Sequence, residues 1–205
     1  MRYVAIVLLT LSQGLAAAAV DDGDRESMVK ASIVYNIARF VTWPETSDEE
    51  NATNLSVCIQ KDNQLATAFS NLAAAQGAGG GFQLRLIERF GVQNLECHVA
   101  FLSEEDRDYV DLSAMARDAI LTVSDTAGFV NDGGTIEIQR TGIKLGFSVN
   151  RLIERLSSVS LSSQILQLAE KVIWCSAWEH GMQAYASEEL PNLEPEYQKV
   201  KSYID

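Results

Sequence analysis

The sequence predicts an α/β fold, with a mainly parallel sheet of about five to six strands flanked by helices and an antiparallel hairpin at one edge. Three observations lead there. Short apolar runs alternate with amphipathic stretches between residues 55 and 123, and strand–helix–strand repetition builds parallel sheets. Two alternating segments, 135–139 and 143–149, flank Thr141-Gly142 and read as a hairpin. The chain has 205 residues of which 47% are apolar, enough for one sizeable core with a short extra element.

The amino end opens with Arg2 and an apolar run from Tyr3 to Leu11, then reaches the small residues Ala16 to Ala19. One basic residue, a short apolar stretch and small-x-small choices describe an export signal over residues 1–19, too short to span a bilayer. Residues 20–178 are then expected to form the folded domain. Residues 179–205, with Glu188, Glu189, Glu194, Glu196, Pro191 and Pro195, read as an acidic extension.

Within the domain, residues 26–41 have helical spacing, with Ser32, Asn36 and Arg39 on one narrow polar stripe. Their apolar arc is wider than one packing face requires, so the helix is expected to be sandwiched in the core or shared with another subunit. Trp43-Pro44 stops it, because the residue before proline is pushed out of helical geometry. Strands are expected at 55–60, 82–88, 97–102 and 119–123, and helices at 64–75 and 104–116. After the hairpin, helices are expected over 150–156 and 162–178.

Charge narrows the partners. The formal net charge is −12 and becomes −13 once Arg2 leaves with the signal. Nucleic-acid binding needs clustered Lys and Arg, and no basic stripe exists, so nucleic acid and anionic membrane surfaces are not expected partners. No second stretch approaches membrane-spanning length.

Three cysteines, Cys58, Cys97 and Cys175, follow the signal. An oxidising compartment favours a disulfide with one thiol left over. Cys58 and Cys97 lie in or beside apolar runs that neighbouring strands could bring together; the alternative is two buried free thiols. Cys175 reads as a small buried apolar residue.

Catalytic and metal chemistry find little support. The two histidines, His98 and His180, lack the spacing of a zinc set. Ser124, Asp125 and His98 make a poor nucleophile, orienter and base, because adjacent Ser and Asp do not easily bracket a histidine. The glycines at 77 and 79–81 follow a helix and precede a strand, the reverse of a phosphate loop. No cofactor or metal is expected. The segment from Leu121 through Ser124, Asp125, Gly128 and Phe129 to Gly133-Gly134 is a strand running into a polar turn. Asp125 is expected to cap local backbone N–H groups and Phe129 to fold back into the core. Strand carboxyl ends are the usual ligand crevice of open α/β sheets, so Ser124, Asp125 and Gly128 could also line a small-molecule site.

Together these stretches resemble the YfiR family, a DUF4154-type domain of exported bacterial proteins. The resemblance is carried by residues 30–44, with Tyr35, Asn36, Phe40, Trp43 and Pro44. It continues in Asp125, Gly128, Phe129 and Gly134, then in Phe147-Ser148-Val149-Asn150 and residues 161–169. It implies a Cys58–Cys97 disulfide between strands, a tendency to form homodimers, and a periplasmic, non-enzymatic regulatory role. It also implies a partner: the periplasmic portion of a membrane diguanylate cyclase, repressed so that cyclic-di-GMP output and biofilm formation fall. The chain lacks the second cysteine pair of some members. The competing expectation is a periplasmic small-molecule-binding sensor that feeds a histidine kinase or transporter.

Overall fold

The computed structural model describes residues 22–44, 55–77, 81–91 and 96–173. The expected export signal, the extension over 179–205 and Cys175 lie outside the described residues.

The first helix, α1 (Asp22–Arg39), buries Ala31, Val34, Ile37 and Ala38, an i, i+3, i+6/i+7 set that falls on one face. It is not sandwiched: Met28 and Val29 stand 37% and 47% exposed on it, and Phe40, just past its end, is 46% exposed. The chain leaves it through a two-residue strand, β1 (Val41–Thr42), that had no signature in the sequence.

The main sheet contains β2 (Leu55–Gln60), β3 (Phe82–Ile87), β4 (Val99–Leu102), β5 (Leu121–Ser124), β6 (Ile136–Thr141), β7 (Lys144–Asn150) and a short closing strand, β9 (Lys171–Ile173). Its order is β3-β2-β4-β5-β6-β7-β9. All neighbours run parallel except the β6–β7 hairpin. The mixed sheet is therefore as the sequence predicts, with seven strands. The hairpin sits one strand in from the edge, because β9 pairs with β7 through Val149 and Val172. A separate two-stranded ribbon joins β1 to β8 (Ser160–Leu161).

Side-chain alternation divides the core in two, since successive strand residues face opposite sides. Val57, Ile59, Val99, Phe101, Val123 and Ile138 face α1, α2 (Ala66–Gln76) and α5 (Ser163–Leu168). Cys58, Ala100 and Leu102 face Met115 of α3 (Leu112–Arg117), Phe90, Ile120 and Phe129. On that second side, β5 to β7 carry the buried polar residues Thr122, Ser124, Glu137, Ser148 and Asn150.

Two expected helices are shorter than the pattern suggests. The stretch 104–116 divides into a 3-10 turn (Glu104–Asp106) and α3. Asp111 separates them by taking extended geometry and accepting the Ala114 N–H at 2.9 Å, the work of an N-cap. The expected helix over 162–178 stops at Leu168; Ala169 is extended, and β-branched Val172 and Ile173 favour a strand beside β7. The helix at 151–156, α4 (Arg151–Leu156), is present.

Candidate functional site

The carboxyl ends of β2, β4 and β5 gather polar side chains from four parts of the chain. Asp106, 1% exposed, accepts from Gln60 Nε2 at 2.7 Å, from the Ser103 N–H at 2.7 Å and from the Ser103 hydroxyl at 2.8 Å. A buried carboxylate is tolerable when its lone pairs are met in this way. The next residue, Arg107, reaches the loop after β5, pairing with Asp132 and with Glu104 and donating to the Ala127 carbonyl at 3.4 Å.

That loop is held from within as well. The Ser124 hydroxyl accepts the Thr126 N–H at 3.0 Å. Glu137, buried on β6, accepts the Val130 N–H at 3.3 Å. Gly128 has φ +82°, a conformation that suits glycine. Phe129 turns inward, as predicted, and lies so close over Gly134 that a Cβ there would fall 2.1 Å from its ring. Asn150 closes the arrangement. Its Nδ2 donates to the Val130 carbonyl at 2.7 Å, while its Oδ1 accepts from the N–H groups of Leu152 and Ile153 at the start of α4.

Asp125 corrects the sequence reading. Its carboxylate does not cap a backbone N–H; it accepts from Lys30 Nζ of α1 at 2.7 Å. Lys30 also pairs with Glu26 at 3.0 Å, and Glu26 with Arg140 of β6. A lysine beside an aspartate gains more there than a loop N–H would, because both partners are charged. Burial alone would lower the Lys30 ammonium pKa, but the hydrogen bonds to Asp125 and Glu26 outweigh it and raise it. Hydrogen bonds from Lys30 first, and Arg140 second, hold the Glu26 carboxyl below its usual value.

At the opposite end of the sheet, Cys58 and Cys97 form a disulfide between β2 and the lead-in to β4, with Cα atoms 5.9 Å apart. His98 follows, with Trp43 edge-on against its ring at 5.1 Å. Tyr35 packs edge-on against Phe82 and its hydroxyl donates to Gln76 at 3.3 Å. Asn36, Phe40 and Pro44 are exposed.

The resembling positions therefore fall into three places. Asp125, Gly128, Phe129, Gly134 and Asn150 build one loop; Tyr35, Trp43 and the disulfide build the rim; Asn36 and Phe40 face outward. A model of the YfiR/HmsC-like family matches residues 27–170, from the second turn of α1 to the start of β9. The chain belongs to the YfiR/HmsC-like family. Membership supports a periplasmic regulatory role in cyclic-di-GMP signalling. The family's periplasmic setting agrees with the disulfide, and among the described residues no helix is long and apolar enough to cross a membrane.

Solved structures show weaker likeness. A conserved domain protein from Vibrio cholerae is 11% identical with a TM-score of 0.45, over 71% of this chain and 60% of that one. The ABC domain in complex with L-Trp from Streptococcus pneumonia is 10% identical with a TM-score of 0.47, over 72% and 60%. The chain thus spans about 60% of the length of each. No curated protein matches.

Sequence reasoning missed Lys30, Arg107 and Asp106, which do most of the holding. Lys30 had a signal: it is a cation set beside the apolar face that Ala31, Val34, Ile37 and Ala38 form on α1. Arg107 and Asp106 sit among other charged residues and had none. Ser124 and Asp125, considered for catalysis with His98, do not meet it; His98 bonds to Ser56 instead.

Proposed function

We propose that this YfiR/HmsC-like protein binds the periplasmic portion of a membrane diguanylate cyclase and represses it, lowering cyclic-di-GMP output. The family match over residues 27–170 carries this reading, because it covers nearly all of the described fold. Two features of the surface support it. The charged groups at the strand ends are engaged with one another rather than aimed at a reacting atom. The outer side of α1 instead presents Val29 and Asn36, at the i, i+7 spacing by which a helix offers a contact line, and Phe40 stands exposed just past its end. Repression follows if that surface fits the inactive cyclase better than the active one, since a partner bound equally in both states shifts nothing.

The test is a crosslinking pull-down of the chain against detergent-solubilised membranes of its host, read by mass spectrometry. A diguanylate cyclase is expected among the retained proteins, and Phe40→Glu is expected to lose it while thermal unfolding stays unchanged. If no cyclase is enriched over a control, the proposal is wrong.

A further inference from the structure

The amino-terminal rim of the sheet holds a titratable group that the regulatory reading leaves unused. His98 lies half-buried between β2 and the segment that ends α1. The Ser56 backbone N–H donates to its Nδ1 at 3.2 Å, and the Ser56 hydroxyl lies 2.8 Å from the same nitrogen. A backbone N–H can only donate, so Nδ1 must present a lone pair and the ring is neutral with its proton on Nε2. The Ser56 hydroxyl also accepts the His98 N–H and approaches the Glu96 carbonyl, both at 3.2 Å. Across the ring, Trp43 stands edge-on at an interplanar angle of 80°, and its chain continues back through β1 to Phe40 and α1.

Protonation of Nδ1 would turn two donors toward each other. The new N–H can swing onto the Ser56 hydroxyl, but the Ser56 amide then has no acceptor in a buried position, and an unmet buried donor is costly. The ring must shift, and the side free to yield is the one facing Trp43. On the other side, β2 and the lead-in to β4 are tied covalently by Cys58–Cys97. The charged groups facing this corner are Arg85 on β3 and Glu96 before β4, paired with each other at 2.9 Å.

We propose that the Ser56–His98–Trp43 corner is an acid-operated release, in which protonation of His98 undocks Trp43 and loosens β1 and the end of α1 from the rim of the sheet. Burial of the ring, and secondarily the Arg85 charge, lowers the His98 pKa. The release therefore acts below the usual histidine range, under about pH 6.5. The moving part includes Phe40, exposed between α1 and β1, so external acidity would alter the surface nominated for the partner. The release is independent of which partner binds there.

The test uses the full chain with Trp174→Phe and Trp178→Phe, which leaves Trp43 as the single tryptophan. Its emission is expected to move to longer wavelength between pH 7 and pH 5, reversibly, and to stay fixed when His98→Gln is added. In the unsubstituted chain, the His98 ring and the Ser56 amide are expected to titrate together by NMR. Trp43 emission that is flat over this range, or a transition that survives His98→Gln, overturns the proposal. Should the tryptophan variant not fold, independent titration of the His98 ring and the Ser56 amide overturns it equally.

Discussion

The Lys30 ammonium of α1 lies 2.7 Å from the Asp125 carboxylate after β5, joining two parts of the chain 95 residues apart. The pair is less than one-third exposed on either side, so it is screened less than a surface ion pair. Asp125→Asn keeps the shape of the turn and removes the charge, leaving Lys30 with Glu26 alone. Stability is expected to fall by about 1 kcal/mol in urea unfolding, and amide exchange in the amino-terminal half of α1 to quicken. Unchanged exchange in α1 would mean that its apolar face alone holds it.

The same network sets a pH profile. Lys30 is raised in the folded chain, so its contribution is complete below the usual lysine value and is lost as pH rises through the higher folded one. Glu26 is lowered, so its contribution is complete above the usual glutamate value and is lost as pH falls through the lower folded one. The stability gap between the native chain and Lys30→Met is therefore expected to be widest from about pH 5 to pH 10 and to narrow on both sides. Calorimetry across that range checks it; a gap independent of pH would assign the lysine's effect to packing of its stem.

Most of the fold was legible because its causes are local. Strands such as 55–60 are mostly apolar runs and Thr141-Gly142 announces the hairpin, whereas the first helix ends at Arg39, ahead of Trp43-Pro44, because Val41 and Thr42 pair as β1. β1 and β9 were not legible, because strands of two or three residues exist only through their partners, Leu161 and Val149. The holding contacts were hidden for the same reason. Asp125 looks like a loop cap until α1 is placed over β5, and Asp106 looks like one acid among several until Gln60 meets it. Phe129 was readable because an aromatic residue beside glycines in a turn has few other places to go.

Phe129 and Gly134 give a sharp comparison of two glycines. A Cβ at Gly134 would meet the buried Phe129 ring at 2.1 Å, whereas one at Gly142 meets nothing within 4 Å, although φ there is +64°. Gly134→Ala is expected to cost roughly 2 kcal/mol through displacement of the ring. Gly142→Ala is expected to cost about 1 kcal/mol through backbone strain alone. Thermal unfolding of the two variants separates the causes, and the Gly134 loss is expected to shrink when Phe129→Leu makes room. Equal losses at the two sites would show that the ring gives way freely.

Asn150 ties three places together, two with its side chain and one with its backbone. It caps α4 through Leu152 and Ile153, holds the Val130 carbonyl at 2.7 Å, and its own N–H meets the Thr135 carbonyl at 2.8 Å. Replacing it by Ala removes the cap and leaves the Val130 carbonyl without its side-chain donor, at an expected cost of about 2–3 kcal/mol. Asn150→Ser keeps a capping oxygen but is too short to reach Val130, and is expected to recover about 1 kcal/mol of that loss. Asn150→Asp separates the roles most clearly. It preserves the cap yet turns a carboxylate toward a carbonyl oxygen, so it should be no more stable than Ala despite being the better helix cap. Urea unfolding of the three variants, with amide exchange at Val130, decides between them. If Asp restores native stability, Asn150 serves α4 alone and the 125–134 loop stands on Phe129 and Arg107.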